Sequence, residues 1–316
     1  MNPLPPSPRG GEGRGEGKPK PLLVIAGPTA SGKTTLAIEI ARRLNAEIIS
    51  ADSQQVYRHF DIGTAKPSEA ELAAIPHHLI SIADPLEDFS AARFGKLADA
   101  AIADIQSRGK RVVVVGGTGL YLRVLLHGVM PGPSRDEALR AELETFADRE
   151  GNEALHARLA KVDPVTAAKH PVQDRLRVIR ALEIHQLTGK PASEHRDEHA
   201  FAADRYDYRL FVLNPPREKV YDAINLRTRK MFDAGLLDET RALVAKGYRE
   251  AAPMRAVGYL QALQVIDGTL TKQKAIEDTA QATRHYAKRQ WTWFKKEKGA
   301  VLAAPEVAPE QILSGA

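Results

Sequence analysis

The sequence predicts an α/β protein built on a doubly wound parallel sheet, and two observations carry this prediction. Short apolar segments alternate with longer segments of helical spacing, and a glycine-rich turn joins the first apolar segment to the first helical one. Strands are expected at Leu22–Ala26, 46–51, 111–115 and Tyr208–Leu213. Helices are expected at 35–44, 93–108, 217–246 and 272–297.

Residues 132–200 interrupt this alternation, because they are charged, alanine-rich and helical in period without a strand. We therefore expect a helical insertion domain at 132–200 within an α/β core made of residues 21–131 and 201–300. Residues 1–20 are rich in Pro and Gly and lack the apolar stretch of a signal peptide, so we expect a disordered tail there. Residues 301–316 are expected to form a C-terminal tail.

Composition narrows the class of protein. A hydrophobic content of 43% and a charged content of 27% fit a soluble globular protein, and no apolar run approaches the length of a membrane span. The absence of cysteine excludes disulfides, thiolate zinc sites and cysteine nucleophiles, and it fits a cytoplasmic location. The net charge of +5 favours an acidic partner only slightly.

The glycine-rich turn at residues 27–34, called here the phosphate loop, matches the G-x-x-x-x-G-K-[ST] pattern between a predicted strand and a predicted helix. Its glycines let successive backbone N–H groups cradle a polyphosphate, and the positive end of the following helix adds to that field. Lys33 can reach the terminal phosphate, and the Thr34 hydroxyl is placed to bind Mg²⁺. The fold is therefore expected to be P-loop NTPase-like. The candidate ligands of a diphosphate or nucleotide are Gly27, Pro28, Thr29, Ala30, Ser31, Gly32, Lys33 and Thr34.

An ordinary ATPase would carry an aspartate at the end of a second strand to help hold Mg²⁺. Here the valine-rich strand ends in Gly116-Gly117, and the nearest acid at a strand end is Asp52. Because the carboxyl ends of parallel strands line the ligand crevice, Asp52 and Thr118 should lie beside the phosphate loop. Position alone leaves two roles for Asp52, a functional carboxylate or a helix N-cap.

Several further motifs occur in a fixed order and identify a resemblance. The chain closely resembles the bacterial tRNA dimethylallyltransferases, also called tRNA isopentenyltransferases, from about residue 22 to residue 295. Besides the phosphate loop, the motifs are Asp52-Ser53-x-x-x-Tyr57, Asp61-Ile62-Gly63-Thr64-Ala65-Lys66-Pro67, Pro76-His77-His78-Leu79, Val115-Gly116-Gly117-Thr118-Gly119-Leu120-Tyr121, Arg180-Ala181-Leu182-Glu183, Arg255-Ala256-Val257-Gly258-Tyr259 and Ala287-Lys288-Arg289-Gln290.

The resemblance implies transfer of a dimethylallyl group from dimethylallyl diphosphate to N6 of the adenosine 3′ of the anticodon in tRNA. Asp52 would then be the general base, with Thr118 and Arg227 completing the catalytic set, diphosphate as the leaving group and Mg²⁺ as the cofactor. The implied partners are the tRNA anticodon stem-loop and dimethylallyl diphosphate. We expect a monomer with no membrane partner. The alternative for Arg227 is an ordinary solvated helix face.

By the same resemblance, a larger set of residues is expected to contact tRNA. Relatives often carry Gln-Arg at the first two positions of 176–180, whereas this chain has Leu176-Arg177, so a side-chain contact from Leu176 is in question. The arginines near this segment could equally form a solvated helix face. The expected contacts are Asp52, Ser53, Gln54, Gln55, Thr118, Arg140, Leu176, Arg177, Val178, Ile179, Arg180, Arg255, Ala256, Val257, Gly258, Tyr259 and Leu260.

The last long helix interleaves cations with aromatic residues, which suits either RNA binding or packing on the core. We expect its aromatic side chains to pack and some of its cations to contact phosphate. The adjacent His77 and His78 lack a second ligand cluster, so a histidine metal site is not expected.

Three other functions remain open from the sequence. A prenyltransferase acting on a free adenine nucleotide would need neither the insertion nor the basic late helix. A small-molecule kinase would use the loop for ATP, although the strand-end aspartate is missing. An RNA-binding protein could retain a phosphate loop, but it would not need Asp52 at the crevice.

Overall fold

A six-stranded, all-parallel sheet forms the centre of the α/β unit. The computed structural model describes residues 20–129, 132–199, 204–306 and 308–314, which divide into this α/β unit and a helical unit at 127–204. The predicted α/β class is confirmed. The strands are β1 Leu22–Ala26, β2 Ala46–Ser50, β3 His77–His78, β4 Arg111–Gly116, β5 Tyr208–Leu213 and β6 Ala300–Ala303, in the order β3-β2-β4-β1-β5-β6.

Helices cover both faces of the sheet, which explains why its central strands are continuous apolar runs. In β1, Leu22 and Val24 belong to one buried cluster, whereas Leu23 and Ile25 belong to another. The helices of this unit are α1 Lys33–Leu44, α2 Glu69–Ala74, α3 Ala91–Ser107, α4 Gly119–His127, α9 Arg217–Asp233, α10 Leu236–Ala245, α11 Tyr259–Ile266, α12 Lys272–Phe294 and α13 Ala308–Leu313, with a 3₁₀ turn at Ala252–Arg255.

The structure departs from the sequence predictions at three places in this unit. The helix expected at 217–246 is two helices, because Gly235 adopts a φ of +100° between α9 and α10. β3 was not predicted, since two histidines carry no strand pattern. The expected C-terminal tail at 301–316 instead contributes to β6, which pairs with β5, and contains α13, so the α/β core extends beyond residue 300. The tail expected at 1–20 lies outside the described residues, apart from Lys20.

The helical unit begins and ends a few residues outside the expected insertion. It contains α5 Glu137–Val162, α6 Pro164–Lys169, α7 Arg175–Thr188 and α8 Ala192–His199. Its buried cluster draws on α5 and α7, with Leu143, Leu159 and Leu182 among its members. No strand occurs among the described residues of this unit, as the sequence predicts.

The chain passes from the α/β unit into the helical unit after Leu126 and re-enters the α/β unit at Arg205, and these two residues are hydrogen-bonded neighbours. The Arg205 N–H donates to the Leu126 carbonyl at 2.8 Å, and the Arg205 guanidinium donates to Leu125 at 3.1 Å and to Asp99 at 2.7 Å. The bonds to Leu126 and Leu125 satisfy backbone carbonyls at the end of α4. Among the residues that the structure describes, no helix is both long and apolar enough to cross a membrane.

Candidate active site

A cavity of about 320 Å³ lies at the carboxyl ends of β1, β2 and β4. This is the edge at which open α/β sheets bind ligands. The phosphate loop contributes Thr29, Lys33 and Thr34 to its walls, and the segment after β2 contributes residues 52–55, called here the Asp52 turn. α9 adds Arg227. The geometry therefore brings the predicted phosphate ligands, the predicted base and the predicted arginine together.

The phosphate loop has the backbone that its sequence predicts. Gly32 has a φ of +85° and precedes the first residue of α1, so the N-terminus of that helix begins at Lys33. The Ser31 hydroxyl is buried without a hydrogen-bond partner among the described residues. One N–H does not point to the ligand side, because Thr29 donates to Oε1 of Gln290 at 2.8 Å. The cradle thus has fewer free N–H donors than the pattern alone suggests.

Two cations in the cavity are withdrawn from water. The pKa of Lys33 is lowered to about 8. Burial is the main cause, the charge of Arg227 adds to the lowering, and the charge of Asp52 opposes it. Burial also lowers the pKa of Arg227 from its ordinary value, and Asp52 again opposes the change. An anion bound beside these two desolvated cations would stabilise their charged forms. Arg227 is therefore a cavity residue and not part of a solvated helix face.

Asp52 is not a helix N-cap, because a turn rather than a helix follows it, but its side chain caps that turn. Its Oδ1 atom accepts hydrogen bonds from the N–H groups of Gln54 at 2.9 Å and Gln55 at 3.3 Å, which is the capping arrangement. The carboxylate nevertheless lines the cavity. Because one oxygen is fixed by the turn, the carboxylate is held in place at the wall of the cavity.

Thr118 supports the Asp52 turn from the neighbouring strand. Its Oγ1 atom accepts a hydrogen bond from the Ser53 N–H at 3.0 Å, and its own N–H donates to the Ala51 carbonyl at 3.3 Å. Tyr286 of α12 lines the same cavity, where burial and the charge of Asp52 raise the pKa of its phenol to about 12. Tyr286 was expected only to pack, so this placement corrects the prediction.

A partly buried network fixes the loop at 61–67, several residues of which line the cavity. The Glu239 carboxylate accepts from the N–H groups of Ile62 at 2.9 Å and Gly63 at 3.3 Å, and from the Tyr259 hydroxyl. Burial and the charge of Glu239 raise the pKa of Tyr259 well above its ordinary value, so its phenol remains a donor. Glu239 could not be identified from the sequence, because a lone glutamate on a helix carries no signal.

Gln290 is a second cavity residue whose role the sequence did not reveal. It is buried in α12 and lines the cavity, and its Nε2 atom donates to the Gly117 carbonyl at 2.8 Å. Its place within an apolar and basic helix gave no hint of this contact. The only signal was its membership of the motif Ala287-Lys288-Arg289-Gln290.

The segment 255–260 is divided between the cavity and the core. Ala256 and Val257 line the cavity together with Arg255, which is exposed to solvent. Gly258 and the Tyr259 side chain are buried, whereas Leu260 is 41% exposed. A contact from Tyr259 to a macromolecule is therefore not available to its side chain in this conformation.

In the helical unit the expected contact residues fall into two groups. Leu176 is 74% exposed, and the exposed Arg177 pairs with Asp174. Val178 and Ile179 are buried in the core of the unit, because they lie on the inner face of α7, so their side chains do not reach solvent.

The other two arginines of the expected set share a buried carboxylate. Arg140 donates to Glu183 at 2.8 Å, and Arg180 donates to the same carboxylate. Burial alone would raise the pKa of Glu183, but these hydrogen bonds lower it to about 2. Arg140 and Arg180 are thus held by the buried Glu183, whereas the Arg177 side chain is largely exposed to solvent.

In the last helix the other aromatic residues are buried or partly buried, and two of the cations are exposed. Phe294 is buried, and the Arg123 guanidinium lies 4.2 Å from the Trp293 ring centroid. Lys288 and Arg289 are exposed. The histidines have other partners: Nε2 of His78 lies 2.8 Å from Glu47, and burial lowers the pKa of His77. Within the described part of the chain, no cluster of three or more His, Cys, Asp or Glu could hold a metal.

Comparison with known proteins gives consistent matches. The sequence model of the family described as IPP transferase matches residues 55–297. The tRNA dimethylallyltransferase of Myxococcus xanthus is 64% identical over 296 residues, covering 93% of this chain and 95% of that protein. The tRNA dimethylallyltransferase of Anaeromyxobacter dehalogenans is 52% identical over 292 residues, covering 92% and 97%.

Solved structures agree with this fold. The full-length tRNA isopentenylpyrophosphate transferase of Bacillus halodurans is 40% identical with a TM-score of 0.68, covering 93% of this chain and 96% of that one. A eukaryotic dimethylallyltransferase acting on tRNA is 30% identical with a TM-score of 0.78, covering 94% of this chain and 77% of that one.

Proposed function

The chain belongs to the IPP transferase family, and from that premise we propose that it transfers a dimethylallyl group from dimethylallyl diphosphate to tRNA. The acceptor is N6 of the adenosine 3′ of the anticodon, and the enzyme acts as a monomer. The observation that carries the proposal is a single cavity that joins the phosphate loop to the Asp52 carboxylate. A diphosphate ester and a weakly nucleophilic amine need those two features within reach of each other.

The donor diphosphate binds in the phosphate loop between Lys33 and Arg227. Both side chains are desolvated, so their attraction for the diphosphate is stronger than it would be in water. The negative charge on the departing diphosphate grows in the transition state, where fixed cations and N–H donors stabilise it most. This accounts for a phosphate loop in a protein whose β4 ends in Gly116 and supplies no aspartate for nucleotide hydrolysis.

Mg²⁺ suits this cavity. Thr34 lines it, and Mg²⁺ typically binds through one or two protein oxygens together with substrate phosphates and water. Bound there, the ion would neutralise part of the charge on the diphosphate.

The chemical step exchanges one bond for another. The N6 nitrogen forms a bond to C1 of the dimethylallyl group while the C1–O bond breaks, and the electron pair of that bond leaves with the diphosphate. Asp52 accepts the proton that N6 loses, a role worth about 10²–10⁴-fold in rate. The hydrogen bonds from Gln54 and Gln55 hold the carboxylate at the cavity wall for this purpose.

The acceptor adenosine must leave its stack to enter the cavity. Residues around the cavity, including Gln54, Val257 and Arg255, would then contact it, and exposed cations such as Arg177 and Lys288 would contact phosphates. Such exposed cations favour a polyanionic RNA over a free nucleotide.

The test compares acceptors in one buffer with the wild-type protein and dimethylallyl diphosphate. An anticodon stem-loop is expected to be a far better acceptor than adenosine monophosphate, with the prenylated adenosine identified by mass spectrometry of nucleosides. If the mononucleotide were the better acceptor, a free-nucleotide prenyltransferase would be the correct function. Specific ATP turnover without prenyl transfer would instead identify a kinase.

A further inference from the structure

Gln290 connects two backbone segments of the active site that are far apart in sequence. Its Oε1 atom accepts a hydrogen bond from the Thr29 N–H, and its Nε2 atom donates to the Gly117 carbonyl, each at 2.8 Å. The side chain is 6% exposed, so water does not compete for either bond. Thr29 belongs to the phosphate loop, and Gly117 belongs to the turn after β4.

Both bonds require the chemistry of a carboxamide. One backbone group is a donor and the other is an acceptor, and an amide side chain provides one acceptor and one donor at the same end. A Cβ atom at position 117 would lie 2.3 Å from Nε2 of Gln290, so the glycine is what admits the amide. The Thr29 N–H is thereby directed away from the diphosphate, which fixes the conformation of the loop.

The connection continues from Gly117 to the proposed base. The next residue, Thr118, accepts from the Ser53 N–H and donates to the Ala51 carbonyl, and Asp52 lies between these two partners. An unbroken series of contacts therefore runs from the phosphate loop through Gln290 and Thr118 to the Asp52 turn.

We propose that Gln290 is a positioning residue that fixes the separation between the diphosphate-binding loop and the Asp52 carboxylate. It touches neither the reacting atoms nor the transferred group. Its effect is to hold the leaving group and the base in register, so that the acceptor amine meets both at once. A misplacement of about 1 Å in such an arrangement can cost about 10²-fold in rate. This inference rests on the proposed function and assigns a role within it.

The first test is Gln290→Met, which keeps the side-chain length and removes both hydrogen bonds. The single-turnover rate at saturating donor and stem-loop is expected to fall about 10- to 100-fold. Binding of the stem-loop should change less than threefold, because no expected RNA contact is removed. The control is Thr240→Val, which removes a buried hydroxyl bonded to the Leu236 carbonyl in α10, outside the cavity, and should leave the rate unchanged.

The second test is Gln290→Glu, whose carboxyl group reproduces the amide only when it is protonated. A protonated carboxyl can accept from the Thr29 N–H and donate to the Gly117 carbonyl, whereas a carboxylate faces that carbonyl with like charge. The rate of this variant relative to wild type should therefore rise as the pH falls from 8.5 to 6. The relative rate of Gln290→Met should stay flat. The wild-type rate at each pH serves as the reference for the charged and titratable groups that line the cavity, which are Lys33, Asp52, His77, Arg227, Arg255 and Tyr286.

The outcomes separate this inference from the proposed function. If the wild-type protein transfers no prenyl group, the proposed function fails, and binding of inorganic diphosphate by calorimetry still reports on the phosphate loop. If the wild type is active and Gln290→Met keeps its rate, the positioning role is wrong. A fall in melting temperature with parallel, pH-independent losses in both variants would also overturn it, because it would indicate general destabilisation.

Discussion

Replacement of Asp52 with asparagine removes the proton acceptor while keeping the structure of the turn. The Oδ1 atom of asparagine can still accept the N–H groups of Gln54 and Gln55, so the Asp52 turn should keep its conformation. The amide cannot accept a proton at neutral pH. We therefore expect the chemical step to slow by about 10²–10⁴-fold, which corresponds to about 3–5 kcal/mol of lost transition-state stabilisation.

The same substitution has an electrostatic side effect, and its direction follows from the cavity charges. Asp52 raises the pKa of Lys33, which burial and Arg227 lower to about 8. Without that carboxylate the pKa of Lys33 falls further, and a larger fraction of the lysine is neutral near pH 8. Donor affinity should therefore drop in Asp52→Asn at pH 8 and recover at pH 6.5, where the lysine is charged.

The assay is single-turnover transfer to an anticodon stem-loop at pH 6.5, with donor binding measured separately by calorimetry. Both substrates should bind nearly as in wild type while the chemical rate is lost. A rate within threefold of wild type under these conditions would refute the assignment of Asp52 as the base and leave it as a cap. An equal loss of donor affinity at both pH values would refute the electrostatic part.

Three further predictions follow from contacts already described. Because Lys33 is a cation below its pKa of about 8, affinity for inorganic diphosphate should fall between pH 7 and 9.5 in calorimetry, and Lys33→Met should remove that pH dependence; a flat wild-type profile would contradict this. Tyr259→Phe should lower the free energy of unfolding in urea by about 1.5–3 kcal/mol, because it removes a hydrogen bond to the charged Glu239. That loss should be non-additive with Glu239→Gln, and strict additivity would show that the two groups act separately. Arg177→Ala should reduce the salt dependence of tRNA binding by about one phosphate contact without changing stability. Arg180→Ala should instead lower the melting temperature, since it removes a partner of the buried Glu183, and identical behaviour of the two variants would count against this division.

Local patterns were sufficient to predict the phosphate loop and the main strands. Leu22–Ala26 is apolar because the sheet is covered on both faces, and its strand–turn–helix setting makes the loop pattern specific. Asp52 was placed at the ligand edge by the rule that carboxyl ends of parallel strands meet there. The resemblance to a family added Arg227, whose burial no local signal could reveal.

Contacts between distant segments were beyond the reach of the sequence. Gln290 and Glu239 act through backbone groups of other segments, and a backbone partner leaves no mark on its own side chain. β6 was missed for a related reason, because Ala300–Ala303 is short and gains its strand character from pairing with β5. The buried positions of Val178 and Ile179 depend on which face of α7 packs inward, and a residue-by-residue transfer from a family cannot specify that.

The position of β1 has a consequence for how the chain reaches its native state. Among the described strands β1 comes first in the sequence, yet it lies between β4 and β5, and β5 follows the helical unit. Pairing β1 with β5 carries the entropic penalty of closing a long loop. Sheets whose neighbouring strands are distant in sequence therefore form slowly. The adjacent exit and return points at Leu126 and Arg205 shorten the effective loop once the helical unit has folded. We therefore expect the inserted helices to fold before the sheet is complete, because one apolar edge of β1 stays unpaired, and exposed to chaperones, until β5 has been synthesised.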